Sequence, residues 1–312
     1  VDDLGTSENK DYLQIHIDSV LALSTVDVAL VSAANFKVVV DAVNSTGGIY
    51  LPALLRQMGV EVVELYCEPN GHFPHNPEPL PEHLCDLCAK VIETKADLGF
   101  VVDPDVDRLA IVSEDGSLFG EEYTLVTVAD HVLKTKRGNT VSNLSSTRAL
   151  RDVTEAHGFT YHASAVGEVN VVAKMKEVGA TIGGEGNGGI IYPELHYGRD
   201  SLVGVALFLT HLAQSKMTCS ALRKTYKDYF MSKQKIQLTP EIDVDAILLT
   251  MAAKYKAEDV DCTDGVKINF DEEWVHLRKS NTEPIIRVYT ESVSAEKADG
   301  LAQRFMKEIS DL

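Results

Sequence analysis

The stretch FVVDPDVDRLAIV, from Phe100 to Val112, carries both strand-forming runs and a cluster of charged residues. Two apolar runs flank three aspartates at alternate positions, Asp103, Asp105 and Asp107, and Arg108 follows directly. Short apolar runs bounded by polar residues indicate buried strands. The three carboxylates repel one another and no strand or turn needs them, so their spacing predicts a ligand.

Alternate side chains can converge where a strand gives way to a loop. Converging carboxylates are stable around a hard cation, and Mg²⁺ takes oxygen ligands while leaving positions open for phosphate. Because Arg108 lies beside the cluster, we expect an anion held by Mg²⁺ and a guanidinium together.

Three other interpretations of this loop fit less well. A calcium-binding EF-hand would use Glu114 at position 12, but its position 6 must be glycine and here is Arg108. A haloacid-dehalogenase-type phosphatase has paired aspartates after a strand, but neither a third aspartate nor the arginine suits it. A solvated acidic turn is disfavoured because buried strands bracket the loop.

Strand and helix patterns alternate on both sides of the loop, which is typical of a parallel α/β sheet. Helices are predicted over 9–23 and 81–94, and a hairpin around Asp115 and Gly116. The alternation of strands and helices restarts after residue 122. Within this second unit, Ser145 and Ser146 are expected to begin a helix. We predict two related α/β domains with mixed, largely parallel sheets and a smaller C-terminal α+β domain. Their predicted ranges are 8–122, 123–232 and 233–312.

Two further loops carry polar groups. GGEGNGG, residues 183–189, follows a strand; its glycines would let the backbone approach a ligand, and Glu185 and Asn187 could bind sugar hydroxyls. RKSNTEPIIR begins at Arg278 and ends at Arg287, with hydroxyl and amide side chains between them. These are the groups of a phosphate-binding cradle.

Composition excludes several classes of function. The net charge is −18, which argues against general binding to nucleic acid or acidic membranes, so an anionic ligand needs a local cluster of cations. No apolar run approaches the ~18 residues of a membrane span. Five irregularly spaced cysteines favour a reducing, cytoplasmic location, and Cys85 and Cys88 lack the second pair that zinc requires.

The three loops, in this order, resemble the α-D-phosphohexomutase superfamily of phosphoglucomutases, phosphomannomutases and phosphoglucosamine mutases. DPDVDR is similar to its magnesium loop, GEGNGG to its sugar-binding loop and RKSNTEP to its phosphate-binding loop; FPHNPEP (73–79) and YGRD (197–200) also match. The resemblance covers essentially the whole chain and implies the second, third and fourth domains of the family. The chain starts at Val1, so we expect it to be a fragment without the first domain and its phosphorylated serine.

The resemblance implies an intramolecular phosphotransferase. A phosphoserine would give its phosphoryl group to a hexose phosphate, and the resulting bisphosphate, which also acts as activator, would return its other phosphate. Mg²⁺ would lie on Asp103, Asp105 and Asp107, with Arg108 assisting the transfer. The sugar would contact Glu185 and Asn187, and the non-reacting phosphate would contact Arg278, Ser280, Asn281, Thr282 and Arg287.

Several questions stay open from the sequence. Some family members have other residues at Asn187, Gly189 and Ser145, so the hexose, whether glucose, mannose or glucosamine, is not predicted. The oligomeric state is not predicted either. Without the serine the chain is expected to be inactive alone, and the alternative is a non-enzymatic sugar-phosphate-binding protein of the same fold.

Overall fold

The computed structural model describes residues 5–8, 10–237, 243–280 and 284–312. In these ranges the apolar runs form strands and the periodic segments form helices. Every helix of the described ranges is too short or too polar to cross a membrane.

The first sheet carries the aspartate loop between its third and fourth strands. Its elements are α1 (Leu13–Leu21), α2 (Val28–Ala34), β1 (Lys37–Asp41), α3 (Gly47–Gln57), β2 (Glu61–Leu65), a 3₁₀ turn (Pro81–His83), α4 (Cys85–Thr94), β3 (Leu98–Val102) and β4 (Leu109–Ser113). The strand order is β2-β1-β3-β4; β1 is parallel to β2 and β3, and β4 is antiparallel to β3. Every residue of β3 and β4 is buried, as expected of strands covered on both faces.

The second sheet repeats this topology. Its elements are α5 (Glu121–Thr135), β5 (Thr140–Asn143), α6 (Ala149–Ala156), β6 (Tyr161–Ser164), α7 (Glu168–Val178), β7 (Ile182–Gly184), β8 (Ile190–Ile191), α8 (Ser201–Ser215) and α9 (Cys219–Arg223). The strand order is β6-β5-β7-β8. As in the first sheet, three strands, β6, β5 and β7, are parallel and the fourth, β8, is antiparallel to its neighbour β7. The glycine loop therefore occupies the position in this sheet that the aspartate loop occupies in the first.

The C-terminal region is a five-stranded antiparallel sheet with helices. Its elements are β9 (Phe230–Gln237), α10 (Val244–Lys254), β10 (Asp259–Asp261), β11 (Val266–Asn269), β12 (Trp274–Lys279), β13 (Ile285–Ser292) and α11 (Ala295–Ser310). The order is β10-β11-β12-β13-β9. Its buried side chains form a core of their own, whereas α8 belongs to a core that joins the first two sheets. The predicted fold class is confirmed.

Buried polar contacts join the C-terminal region to the second sheet. The Arg148 guanidinium donates to the carbonyl oxygens of Asp271 and Phe270 at 2.9 and 3.1 Å. The Lys267 ammonium donates to the Leu144 carbonyl oxygen at 2.7 Å. Because these groups are removed from water, the contacts specify one docking geometry.

Two predicted helices have different bounds in the structure. The helix expected over 9–23 is confined to α1, and Asp11 accepts a hydrogen bond from the Leu13 amide at its start. The helix expected over 81–94 begins as a 3₁₀ turn at Pro81 and becomes α-helical only at Cys85. The short helix α2 was not expected, because its seven residues are too few to show a period.

The sequence predicted that Ser145 and Ser146 begin a helix, and this prediction is wrong. They lie in a turn after β5, where the Asn143 side-chain oxygen accepts hydrogen bonds from the Ser145 amide and the Ser146 hydroxyl. The helix starts only at Ala149. The predicted hairpin around Asp115 is a tight turn with one bridge, because β4 pairs along its length with β3.

Candidate functional site

The aspartate loop is closed by its own first residue. The Asp103 carboxylate accepts hydrogen bonds from the amides of Asp107 and Arg108 at 3.1 and 3.0 Å. Val106 has a φ of 61°, which is strained for a β-branched residue. The Ser201 amide at the start of α8 donates to the Val106 carbonyl oxygen at 3.0 Å and so helps to hold this conformation.

The three aspartates converge as predicted. Asp103 is buried, Asp107 half-buried and Asp105 exposed, and one carboxylate oxygen from each lies within 4.8 Å of the others. Burial, together with the neighbouring charges of Asp107 and Asp105, raises the pKa of Asp103 to about 7. A bound cation would remove both penalties. An all-oxygen, triply acidic set of this kind fits Mg²⁺.

Arg108 lies on the same loop. Its guanidinium is 3.4 Å from the Asp103 carboxylate and donates to Glu78 at 2.9 Å. Glu78 belongs to the FPHNPEP segment, in which His75 is bonded to Asp41 at 3.0 Å. This segment therefore contacts the aspartate loop through the ion pair between Glu78 and Arg108.

The Glu185 carboxylate is fully engaged within the protein. One oxygen accepts from the Asn143 side chain at 2.8 Å and from the Gly167 amide at 3.2 Å, and the other contacts the Arg199 guanidinium at 2.9 Å. Glu185 is also buried. These contacts fix its orientation and leave little capacity for sugar hydroxyls, a role that stays a prediction.

The glycines of this loop serve close contact between loops. Gly188 has a φ of +85°, and a Cβ there would lie 2.1 Å from the Leu109 carbonyl oxygen. The Leu109 amide in turn donates to the Gly188 carbonyl oxygen at 3.2 Å. The glycine loop and the aspartate loop thus touch backbone to backbone. Asn187 accepts from the Gly189 amide at 3.2 Å and turns the loop.

Arg199, in the YGRD segment, connects the two loops through its side chain and was not among the predicted site residues. Its guanidinium bonds to Asp107 of the aspartate loop and to Glu185 of the glycine loop. Its Nε nitrogen lies 3.4 Å from the Glu168 carboxylate. The sequence identifies YGRD as a segment that matches the family, but the structure shows which two loops Arg199 connects.

The segment from Arg278 to Arg287, which was predicted to bind phosphate, includes parts of two neighbouring antiparallel strands, β12 and β13. Arg278 of β12 lies directly opposite Arg287 of β13, and the Ser280 amide donates to the Ile285 carbonyl oxygen at 3.1 Å. Like charges directly opposite each other are destabilising. The Asp264 carboxylate lies 3.5 Å from Arg278. The two guanidinium groups place positive charge locally on this face of the sheet.

Two residues in the middle of this segment, Asn281 and Thr282, both predicted to bind phosphate, lie outside the described residues. The Arg287 guanidinium donates to the Tyr289 hydroxyl at 3.1 Å, and Tyr289 in turn lines the cavity described next.

A cavity of about 190 Å³ brings the glycine loop and the phosphate segment together. Among the groups that line it are Glu122, Glu185, Asn187, Lys233, Arg278 and Tyr289. A second cavity of about 450 Å³ lies on the other side of Arg199 and includes Asp105. A larger cavity of about 580 Å³ lies in the C-terminal region. Four acidic residues, Glu258, Asp271, Glu272 and Glu273, and two cations, Lys297 and Arg304, are among its lining residues, so its charge is less favourable for a phosphorylated ligand.

His16, His196 and Asp200 form a second cluster beside the 450 Å³ cavity. Both imidazoles contact the same Asp200 oxygen, at 2.8 and 3.0 Å. The other nitrogen of His196 accepts from the Gly198 amide at 3.0 Å, so the proton of its neutral form lies on the nitrogen that faces Asp200. These contacts make the cluster a hydrogen-bonded junction between α1 and the start of α8.

Family models match nearly the whole chain. They are phosphoglucomutase/phosphomannomutase α/β/α domain II over residues 14–116, α/β/α domain III over 120–229 and the C-terminal domain over 235–308. The ranges predicted from sequence, 8–122, 123–232 and 233–312, stay predictions.

Individual proteins agree with these models. A phosphoglucomutase/phosphomannomutase of Thermococcus kodakarensis is 36% identical over 300 residues, covering 95% of this chain and 65% of that protein. A probable phosphoglucosamine mutase of Methanopyrus kandleri is 32% identical, covering 96% of this chain and 66% of its own length. The chain thus spans about two thirds of these relatives.

A solved structure shows the same fold. It is a phosphoglucomutase/phosphomannomutase family protein of Burkholderia thailandensis, with a TM-score of 0.84 and 27% identity, covering 97% of this chain and 66% of that one. With three family models in the expected order and relatives of this similarity, the chain belongs to the α-D-phosphohexomutase superfamily.

Proposed function

We propose that this chain is the metal-, sugar- and phosphate-binding part of a hexose-phosphate mutase, an intramolecular phosphotransferase that interconverts hexose 1- and 6-phosphates. The observation that carries the proposal is the pair of contacts that Arg199 makes with Asp107 and Glu185. Arg199 joins the aspartate loop to the glycine loop, whose cavity Arg278 enters from the C-terminal region. These contacts link three loops that are far apart in sequence, which supports a shared site.

Asp103, Asp105 and Asp107 would hold Mg²⁺. Bound there, the ion would offset negative charge on the oxygens of the transferring phosphoryl group. Arg108 is positioned by Glu78 and Asp103 and adds a guanidinium next to these carboxylates.

Asn187 and Glu185 would orient the hexose from the glycine loop. Arg278, Ser280 and Arg287, together with Asn281 and Thr282, would bind the phosphate that does not react. Binding that remote phosphate fixes the orientation of the reacting end and so lowers the entropic cost of transfer.

The proposed phosphoryl donor is a phosphoserine outside these 312 residues, charged by a hexose bisphosphate that acts as activator. On this view the chain alone binds substrate without turnover. We also propose a cytoplasmic location: all five cysteines lie in the described part of the chain, and all are free thiols.

Calorimetry with Mg²⁺ tests the metal site. Asp105 is exposed, so Asp105→Asn should spare folding and weaken Mg²⁺ binding by at least about tenfold, since even outer contacts of a metal site affect affinity by that factor. Asp299→Asn removes the same charge from the exposed surface of α11 and is the matched control. Equal affinity in all three proteins would show that the loop is not the metal site.

Turnover is tested separately. A coupled assay with glucose, mannose and glucosamine phosphates should show activity only in a protein extended by the upstream coding sequence and carrying its serine. Comparable turnover by the 312-residue chain would refute the proposed donor, and absence of turnover in both would favour a sugar-phosphate-binding protein.

A further inference from the structure

A cavity of about 210 Å³, the junction cavity, lies between the second sheet and the C-terminal region. Arg148 and Arg151, at the start of α6, line one side, and Lys267 of β11 and Trp274 of β12 line the other. Among the described residues it shares no lining residue with the 190 Å³ cavity. Three cations thus meet in a chain whose net charge is −18, and such local positive charge favours an anionic ligand.

Two of these cations are buried with hydrogen-bond donors to spare. Arg148 and Lys267 are each only 6% exposed. The Lys267 ammonium has three donors, and within the described ranges it donates one hydrogen bond, to the Leu144 carbonyl oxygen at 2.7 Å. The Arg148 guanidinium donates to two carbonyl oxygens, but its buried Nε has no acceptor in the described part of the chain. Buried donors without acceptors are rare in folded proteins, so both side chains suit an oxygen-rich ligand.

The three cations also repel one another. The pKa of Lys267 is lowered to about 8, first by burial and also by the charges of Arg148 and Arg151. Glu291 and Asp261 act in the opposite direction without cancelling this effect. An anion among the three cations would offset both the burial of their charges and their mutual repulsion.

The carboxylates that line the junction cavity are turned toward water and are already hydrogen-bonded. Asp259 accepts from the Asn269 side chain at 3.1 Å, and Asp261 accepts from the Thr263 amide at 2.7 Å. Both belong to the edge strand β10, where Asp259 is exposed and Asp261 half-buried. The acidic groups therefore lie at the rim of the cavity, and the two buried cations lie deeper.

We propose that the junction cavity binds a small tetrahedral oxyanion, of which inorganic phosphate is the simplest, through Arg148, Arg151 and Lys267. Its volume is several times the ~30 Å³ of a water molecule and gives room for one such ion. Arg148 and Lys267 also make the hydrogen bonds that join the C-terminal region to the second sheet. An anion held by both side chains strengthens that junction. The inference does not depend on the proposed function.

Trp274 provides a direct probe of binding. It is the single tryptophan of the chain, and the Lys267 ammonium lies 4.1 Å from the centre of its ring. Titration of the 312-residue chain with inorganic phosphate at pH 7 should therefore change the fluorescence of Trp274 along a saturable curve. Sodium chloride at equal ionic strength should not, because it screens charge without presenting the oxygens of an oxyanion.

Variants assign the binding to this cavity. The Arg151 side chain is 34% exposed and its contact with Glu155 is 4.0 Å long, so Arg151→Gln should fold. It should weaken phosphate binding by at least about tenfold, the effect of one charge-assisted hydrogen bond. Arg56→Gln, the same change on the surface of α3, is the matched control and should bind phosphate like the parent chain. Arg278→Gln should do so too, because Arg278 lines the other cavity.

The inference is overturned by any of three results. The first is that millimolar phosphate gives no saturable change in the parent chain, or none beyond that of chloride. The second is that the affinity survives Arg151→Gln. The third is that Arg278→Gln abolishes the change, which would assign it to the predicted phosphate-binding segment. If Arg151→Gln does not fold, Lys267→Met, which removes the ammonium and keeps most of the stem, takes its place with the same expected loss.

Discussion

Replacing Arg199 with methionine should uncouple the two loops of the site. The side chain is only 14% exposed and contacts three carboxylates, those of Asp107, Glu185 and Glu168. Methionine keeps most of the packing volume but removes the charge. Asp107 and Glu185, 17% and 8% exposed, would then lose their shared cation.

The size of the effect follows from burial. Removing one partner of a buried ion pair costs about 3–5 kcal/mol, since the remaining charge is left without compensation. We expect a loss near the lower end, about 3 kcal/mol, because Asp107 and Glu168 retain some access to water. Arg56→Met is the control: Arg56 and Glu64 form an ion pair at the surface, and such pairs contribute about 0.2–1 kcal/mol.

Urea unfolding followed by circular dichroism measures both variants, and midpoints are compared because a chain of this size need not unfold in two states. Mg²⁺ adds a second readout. Free Asp107 can serve the metal fully once Arg199 is gone, so Mg²⁺ should raise the midpoint more in Arg199→Met than in the parent chain. At ten times its Kd, a ligand of the folded state stabilises by about 1.4 kcal/mol. Equal midpoints for Arg199→Met and Arg56→Met would refute this account of the junction.

Two other predictions concern the backbone contact and the histidine junction. Gly188→Ala should destabilise the chain more than Gly158→Ala in urea unfolding. Both glycines have a positive φ, which costs alanine roughly 1–3 kcal/mol, but only at Gly188 would the Cβ also meet a backbone oxygen. Equal losses of stability in the two variants would contradict this. The hydrogen bond to Asp200 raises the pKa of His16 above 6.5, so this contact stabilises fully below pH 6.5 and is lost as the pH rises through the raised value. The difference in unfolding midpoint between the parent chain and His16→Gln should therefore be larger at pH 6 than at pH 9, and a pH-independent difference would count against the junction.

The sequence predicted those parts of the site that depend on local pattern. Asp103, Asp105 and Asp107 converge because buried strands on both sides leave only a short loop between them. Arg278 and Arg287 are brought opposite each other by the antiparallel pairing of β12 and β13, which are neighbours along the chain. In both cases, neighbours along the chain determine the geometry.

Contacts between distant segments were not predictable in this way. Arg199 is 92 residues from Asp107, and nothing local indicates that their loops meet. The same holds for Glu122, whose carboxyl lies against Gly186, and for Glu185, whose carboxylate was expected to face the sugar but is bonded within the protein. One signal was present: glycines at 186 and 188 indicate close approach, although the sequence does not say to what.

The direct contact between Leu109 and Gly188 has a consequence for how such a protein can change over evolution. The spacing between the aspartate loop and the glycine loop is set by two backbones in contact, so side-chain substitutions around them leave it unaltered. The C-terminal region, by contrast, reaches the cavity through side chains such as Arg278 on a sheet with its own core. If the proposed function holds, new substrates can be accommodated by remodelling that wall, while the distance between the aspartate loop and the glycine loop stays constant.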